Sequence, residues 1–296
     1  MSTLLEILGC RYPIIQGPIA AMNSPRLTAA VCEAGAFGMI ALGFSSPEET
    51  RKLVDKVREL TDNPFGANIM IMNPANPEIM KILAGAGVKT VTTSAGAPAK
   101  IYPLIHNLGM KGFHVILALP HALRAAAEGV DGLVVSGAES GGLRSLGSES
   151  STMIVVPLVA DHVKIPLVAA GGIADRRGYR AALALGAQGV QIGTRFIATE
   201  EAPAPQVWKE AILSCGDGGT TLLPLKNMKM RVIPNKKMID LSAEPTVDLS
   251  EEYSLMNAPK GWMSGDFDLF PAGAGQVAAL IREIKPVKTV IDEMVS

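Results

Sequence analysis

Short apolar runs, each opened or closed by Gly, Pro or Asn, alternate along the chain with longer stretches of helical period rich in Ala, Leu, Glu and Lys. The runs predict strands over Ile14–Gln16, Gly38–Leu42, Phe65–Ile71, Val88–Thr92, Gly112–Leu119, Gly132–Ser136, Pro166–Ala170 and Gly189–Ile192. Several are apolar at consecutive positions, as in Leu167-Val168-Ala169-Ala170, the pattern of a parallel strand buried on both faces. Between them, Ser46-Pro47-Glu48-Glu49 predicts a capped helix start and Asp175 another. Gly35, Gly109 and Gly186 stand where helices should stop.

A repeating strand–helix unit of this kind predicts an α/β protein, a TIM (β/α)8 barrel over residues 1–214. The rhythm breaks after Cys215, so 215–270 reads as an insertion or lid. Residues 271–296 read as a return to the barrel, with a closing helix expected at about 274–283. A doubly wound Rossmann sheet is the alternative. Against it, the first strand leads into Gln16-Gly17-Pro18 and not into a Gly-x-Gly-x-x-Gly turn.

Composition narrows the function classes. At 48% apolar and 19% charged residues the chain can bury a large core, which excludes disorder as its main state. A net charge of −1 leaves no basic footprint for nucleic acid. Cys10, Cys32 and Cys215 form no pair spacing and read as reduced thiols. His106, His114, His121 and His162 show no metal-ligand spacing. The start Met1-Ser2-Thr3-Leu4-Leu5-Glu6 shows no secretory pattern, and Gly, Pro or a charge interrupts every apolar run before membrane-spanning length. The expectation is a cytoplasmic protein. Met70, Met72, Met228, Met230 and Met263 fit core filling better than an apolar channel.

Barrel chemistry sits at the C-terminal ends of the strands, with phosphate commonly held after strands seven and eight. Strand seven runs through Ala170 into Gly171-Gly172-Ile173-Ala174-Asp175, and strand eight, with Gln191, into Gly193-Thr194. Glycine lets successive N–H groups approach a phosphate closely, and Thr194 adds a hydroxyl. The other strand ends carry Gln16, Asn68, Thr92-Thr93-Ser94 and Glu139-Ser140-Gly141-Gly142, amides and hydroxyls suited to a flat ring with carbonyl and N–H edges, such as a flavin.

The segments Pro13-Ile14-Ile15-Gln16-Gly17-Pro18-Ile19-Ala20, Phe65 to Met70, Val91 to Gly96, Ala169 to Ala174 and Val190 to Phe196 occur in order along the whole chain. Together they resemble the nitronate monooxygenase (2-nitropropane dioxygenase) family, which includes the flavin-dependent enoyl-acyl-carrier-protein reductase II. The stretch from Gly275-Gln276 to Lys288 resembles the C-terminal portion of that reductase. The resemblance implies FMN in a TIM barrel, with its phosphate on the two glycine loops and its ring near Gln16, Asn68 and Thr93. Gly17, Glu139, Gly141, Gly142, Ala170, Gly171, Gly172, Gln191, Gly193 and Thr194 complete the implied cofactor set. NADH or NADPH is the implied reductant.

One departure changes the expected chemistry. The family's sixth-strand loop reads Glu-x-Gly-Gly-His, the histidine acting as base toward nitroalkanes, whereas this chain has Leu143 there. Leucine takes no proton, so oxidation of neutral nitroalkanes loses its base, while nitronates, already deprotonated, lose less. The leading expectation is an NAD(P)H-dependent reductase of an enoyl thioester or related activated double bond. The alternatives are a nitronate monooxygenase and a flavin-binding subunit without catalysis. His121, expected just past strand five, is the candidate acid. The expected partner is a small-molecule or acyl-thioester substrate, with homodimerisation left open.

Overall fold

The computed structural model describes residues 3–19, 22–244 and 246–296; Met1 and Ser2 of the N-terminal reading and Ala20 of the first family motif lie outside them. The strands are β1 (Ile14–Gln16), β2 (Met39–Ala41), β3 (Gly66–Met70), β4 (Thr90–Ser94), β5 (Lys111–Ile116), β6 (Gly132–Ser136), β7 (Gly142–Arg144), β8 (Leu167–Ala170), β9 (Gly189–Ile192), β10 (Thr221–Leu225), β11 (Met228–Ile233) and β12 (Ala272–Gly273). The α-helices up to the sixth loop are α1 (Leu4–Leu8), α2 (Pro25–Glu33), α3 (Pro47–Arg58), α4 (Asn76–Gly85), α5 (Tyr102–Asn107) and α6 (Leu119–Ala127). Beyond it come α7 (Thr152–His162), α8 (Arg176–Ala184), α9 (Thr194–Ile197), α10 (Gln206–Leu213), α11 (Lys236–Ser242), α12 (Leu249–Glu252), α13 (Ala258–Ser264) and α14 (Val287–Val295).

Eight strands run parallel in the order β1-β9-β8-β6-β5-β4-β3-β2 with helices between them, a TIM barrel. The ring closes between β1 and β2 through Phe37, which bridges to Ile15, donates to Ile14 O at 2.8 Å and accepts from Gln16 N–H at 2.9 Å. Strand pleating sends alternate side chains to opposite faces. Ile15, Phe37, Met39, Phe113, Val134, Val168 and Ala170 fill the interior, plugged from below by Leu4 and Leu8 of α1. Ile14, Ile40, Val91, Leu133 and Val190 instead join the larger core beneath the helices. Each of the eight predicted strands is present, within two or three residues at its ends.

The predicted helix signals work as chemistry. Ser46 accepts from Glu49 N–H while the Glu49 carboxylate accepts from Ser46 N–H, closing a capping box at α3. Asp175 accepts from Arg177 N–H at 2.9 Å and caps α8. Gly35, Gly109 and Gly186 all take positive φ after α2, α5 and α8. Helix α1 carries no periodic signal at five residues and is fixed by a capping box from Thr3.

Two expectations, the closing helix and the end of the fifth strand, need correction, and the insertion gains an internal structure. Residues 215–270 are built around the β10–β11 hairpin, which joins β12 and β7 in an antiparallel sheet. The sixth loop supplies β7, so this sheet takes one of its strands from the chain between barrel strands β6 and β8. The closing helix is α14, preceded at Gln276–Leu280 by a 3-10 turn; no α-helix occupies 274–283. Gly275 N–H donates to Thr194 Oγ1 at 2.9 Å and Gln276 N–H to Glu139 O at 2.9 Å, bonds that tie the turn to two distant loops, and it ends where Ile281 goes extended (φ −95°, ψ 119°). Strand β5 stops at Ile116 and α6 starts at Leu119, because Pro120 is tolerated in a first helical turn.

Candidate active site

The C-terminal ends of β6, β8 and β9 and the segment after β12 converge. Gly171 and Gly172 hold φ of 104° and 74°, a backbone that glycine alone adopts without strain. A Cβ added at Gly193 would meet nothing within 4 Å, and one at Gly172 would just touch Glu139 Cβ at 4.0 Å. Both glycines therefore border open space. Gly171 lies under Ser140, Gly17 lies against the Gly193 backbone, and Gly17 N–H donates to Ile192 O at 2.7 Å. Gly141 and Gly275 are pressed together, a Gly275 Cβ falling 2.9 Å from both Glu139 O and Gly141 N. Thr194 Oγ1, which accepts from Gly275 N–H, retains its own proton for a ligand.

Gly275 and Gln276 were not among the predicted site residues. The family-like stretch at 275–288 was the signal available, but nothing local in it says that its N–H groups return to loops more than 80 residues away.

On the barrel axis, β9 turns Gln191 to the same side as Gly189, whose missing side chain leaves room for Leu4 of the interior plug. Gln191 Oε1 is buried and has no hydrogen-bond partner among the described residues. An orphaned acceptor costs roughly 1–3 kcal/mol, which a donor on a bound ring would recover. Asn68 points inward as well, its Nδ2 donating to Thr92 Oγ1 at 2.9 Å. An open glycine cradle, an unmet acceptor and an inward amide fit a flavin phosphate and ring edge.

Four predicted residues turn out to have other duties. Thr93 faces the helix layer, its hydroxyl 2.8 Å from His114 Nδ1 and 3.3 Å from the Tyr102 hydroxyl, whereas Thr92 turns its side chain to the barrel interior beside Asn68 and Met39. Burial pushes His114 down to about 4, leaving it neutral. Gln16 completes the β1–β2 seam, Oε1 accepting from Met39 N–H at 3.2 Å. The Glu139 carboxylate caps α7, accepting from Thr152 N–H at 2.9 Å and its hydroxyl at 3.0 Å. Gly142 pairs with Arg231 in the lid sheet. His121 is exposed in the first turn of α6, at the C-terminal end of the barrel.

Cross-strand register places Leu143. It stands opposite Met230, which in turn faces Leu223, so these three share one side of the lid sheet and pack on the main core. Arg144 and Arg231 lie on the other side. Arg144 is 3% exposed and donates to Ser136 Oγ at 2.8 Å and to Glu149 through Nε at 2.7 Å. Arg231 donates to Ala138 O at 2.9 Å; burial, then the Arg144 cation, lower its pKa. Cys10, Cys32 and Cys215 are free thiols. No group of three or more potential metal ligands occurs among the described residues, and no described helix is long and apolar enough to cross a membrane.

The nitronate monooxygenase family model matches residues 1–296. A nitronate monooxygenase of Pseudomonas aeruginosa is 30% identical over an alignment covering 98% of each chain. FabK from Thermotoga maritima superposes with a TM-score of 0.91 at 34% identity, covering 100% of this chain and 95% of that one. The (3aS,4S,5R,7aS)-5-hydroxy-7a-methyl-1-oxo-octahydro-1H-indene-4-carboxyl-CoA dehydrogenase of Rhodococcus jostii is 34% identical over 75% of this chain and 62% of its own. Fold, glycine cradle and full-length similarity agree: the chain belongs to the nitronate monooxygenase family and is a flavin-dependent oxidoreductase.

Proposed function

We infer that the chain binds FMN and uses NADH or NADPH to reduce the activated double bond of an enoyl thioester. One observation carries the choice within the family. The sixth-loop position that needs a base for nitroalkane oxidation is Leu143, packed with Met230 and Leu223 in the lid. Reducing an electron-poor double bond requires no such base. The similarity to FabK and to a dehydrogenase named for a carboxyl-CoA substrate supports the same direction.

Bound FMN supplies two-electron transfer between nicotinamide and acceptor. The N–H groups of Gly172, Gly193 and Thr194 would hold its phosphate, and the bare glycine surfaces allow that approach. Gln191 Oε1 would accept from a ring N–H, which satisfies its buried lone pairs, and Asn68 would orient the opposite edge. His121, in the first turn of α6 at the C-terminal end of the barrel, delivers the proton that completes saturation of the acceptor carbon. Nitronate oxidation is the second reading, favoured by the Pseudomonas relative, because a nitronate arrives without the proton that a base would remove.

The test is anaerobic. Purified protein is expected to yield FMN on extraction, to bleach with NADH or NADPH, and to regain colour on adding an enoyl thioester with one nicotinamide consumed per double bond. Oxygen uptake with nitronates that needs no nicotinamide, together with inert enoyl thioesters, would overturn the reductase reading.

A further inference from the structure

The mouth of the barrel is chemically divided. The segments joining β6, β8 and β9 to the helices that follow carry Glu139, Arg144, Glu149 and Asp175, with Arg195 in α9. Those following β2, β3 and β5, residues 42–46, 71–75 and 117–118, contain no Asp, Glu, Lys or Arg, and the one after β4, 95–101, holds a single charge, Lys100, at its far end. On this half Phe44 is 60% exposed and Met72 65% exposed. Met72 thus departs from the core-filling expectation.

These two side chains are not on slack loops. Asn73 Nδ2 donates to Ser45 O at 3.1 Å, tying the loop after β3 to the loop after β2. Asn76 Nδ2 donates to Met70 O at 2.8 Å, and Ser45 N–H to Leu42 O at 3.2 Å. The backbone is anchored while large apolar groups face water. The surface is also continuous with the barrel interior. Met70 shares the inward face of β3 with Asn68, and its Sδ occupies the space where a Gly43 Cβ would be, 2.8 Å away. Gly43 in turn leads directly to Phe44.

We propose that Phe44 and Met72, continuing from Met70, form the rim that takes the hydrocarbon chain of the substrate, making this enzyme selective for thioesters of long or bulky apolar acids over small ones. This rests on the reductase reading and names the substrate class for the same mouth. The occupant is a hydrocarbon because the two loops that carry Phe44 and Met72 offer no charge to a polar ligand and the apolar track starts inside the barrel, beside Asn68.

Saturated acyl-CoA thioesters bind without turning over, so they separate the rim from the reaction. Chains of about four to twelve carbons are titrated into the FMN-loaded protein and followed by perturbation of the flavin absorbance, each methylene fully removed from water being worth up to about fourfold in affinity. Affinity should climb with length in the natural protein. In Phe44→Ser and Met72→Ser, exposed sites where substitution is cheap for folding, the slope should flatten and the longest chain should bind roughly tenfold more weakly, with flavin content unchanged. An unchanged slope in both variants, or no length dependence in the natural protein, overturns the rim. So does a change in sedimentation of Phe44→Ser at unaltered slope, which would make this face a contact between copies. The matching enoyl series tests the underlying reading separately: length-dependent binding with no reduction at any length would sink the reductase and leave the rim standing.

Discussion

Gly193→Asp separates the phosphate cradle from the rest of the barrel. Gly193 has φ −107° and its Cβ direction is open to 4 Å, so the substitution meets no protein atom and needs no unusual backbone. The apoprotein should lose less than about 1 kcal/mol, the range of an unstrained surface change. Flavin binding should fail for two reasons that add. The carboxylate occupies the space that the phosphate needs, displacing it from N–H bonds worth about 1.5–3 kcal/mol each to a charged acceptor. It also sets charge against charge, near 4 kcal/mol for one unit pair at 4 Å and an effective dielectric of about 20. Together these predict a dissociation constant raised by at least about a thousandfold, since each 1.4 kcal/mol is tenfold. Gly193→Ala keeps the steric part and should weaken binding by about ten- to a hundredfold. Flavin-stripped protein is melted by circular dichroism, and FMN is titrated by quenching of its fluorescence. Stoichiometric flavin in Gly193→Asp would place the phosphate elsewhere, and an apoprotein loss above about 2 kcal/mol would mean that the open space is not there.

Gly275→Ala should behave in the opposite way, destabilising even the apoprotein by about 1–3 kcal/mol through overpacking against Glu139 O and Gly141 N; an unshifted melting curve would refute the close approach. His114 makes stability acid-sensitive. Its folded pKa of about 4 lies below the ordinary 6.5, so the unfolded chain binds the extra proton between those values, and stability falls as pH drops through that window, by about 2 kcal/mol from pH 7 to 5. His114→Gln should flatten the melting temperature against pH there, and an unaltered slope would assign it to other groups. Arg144→Gln strands the buried Glu149 carboxylate and should cost about 3–5 kcal/mol by chemical denaturation, a loss under about 1 kcal/mol counting against a desolvated pair. His121→Ala should slow flavin reoxidation by enoyl thioester about a hundredfold in stopped flow while leaving FMN binding intact; an unchanged pH–rate profile would give the proton to solvent.

The barrel was legible because its strands are buried on both faces and its loops are punctuated. Val134-Val135 or Leu167 to Ala170 admit few other structures, and Ser46 and Asp175 declare helix starts through local chemistry alone. What could not be read was non-local. The β7 strand consists of Gly142, Leu143 and Arg144, which have no strand pattern of their own; they are extended because β11, some 85 residues later, pairs with them. The closing helix was misplaced because the turn begun at Gly275 stops at Ile281, whose backbone is extended (φ −95°, ψ 119°), a break that no local residue pattern declares.

At the site, motif and parity gave different answers. The glycines after β8 and β9 follow strand ends, and Asn68 and Gln191 face the barrel interior, because side-chain direction along a strand follows a period of two. Thr93 turns its side chain to the helix layer and Thr92 to the interior: one residue along β4 exchanges the two faces, and two threonines are indistinguishable by composition. Leu143 shows how the same rule bears on chemistry. Opposite Met230 it shares the packed face of the lid sheet, so an imidazole introduced by Leu143→His would enter an apolar environment that disfavours its charged form. The substitution alone should destabilise the lid by about 1–3 kcal/mol and give no oxidation of neutral nitroalkanes, measured as oxygen uptake at pH 8. A tenfold or larger gain would show that the sixth-loop side chain reaches the mouth after all.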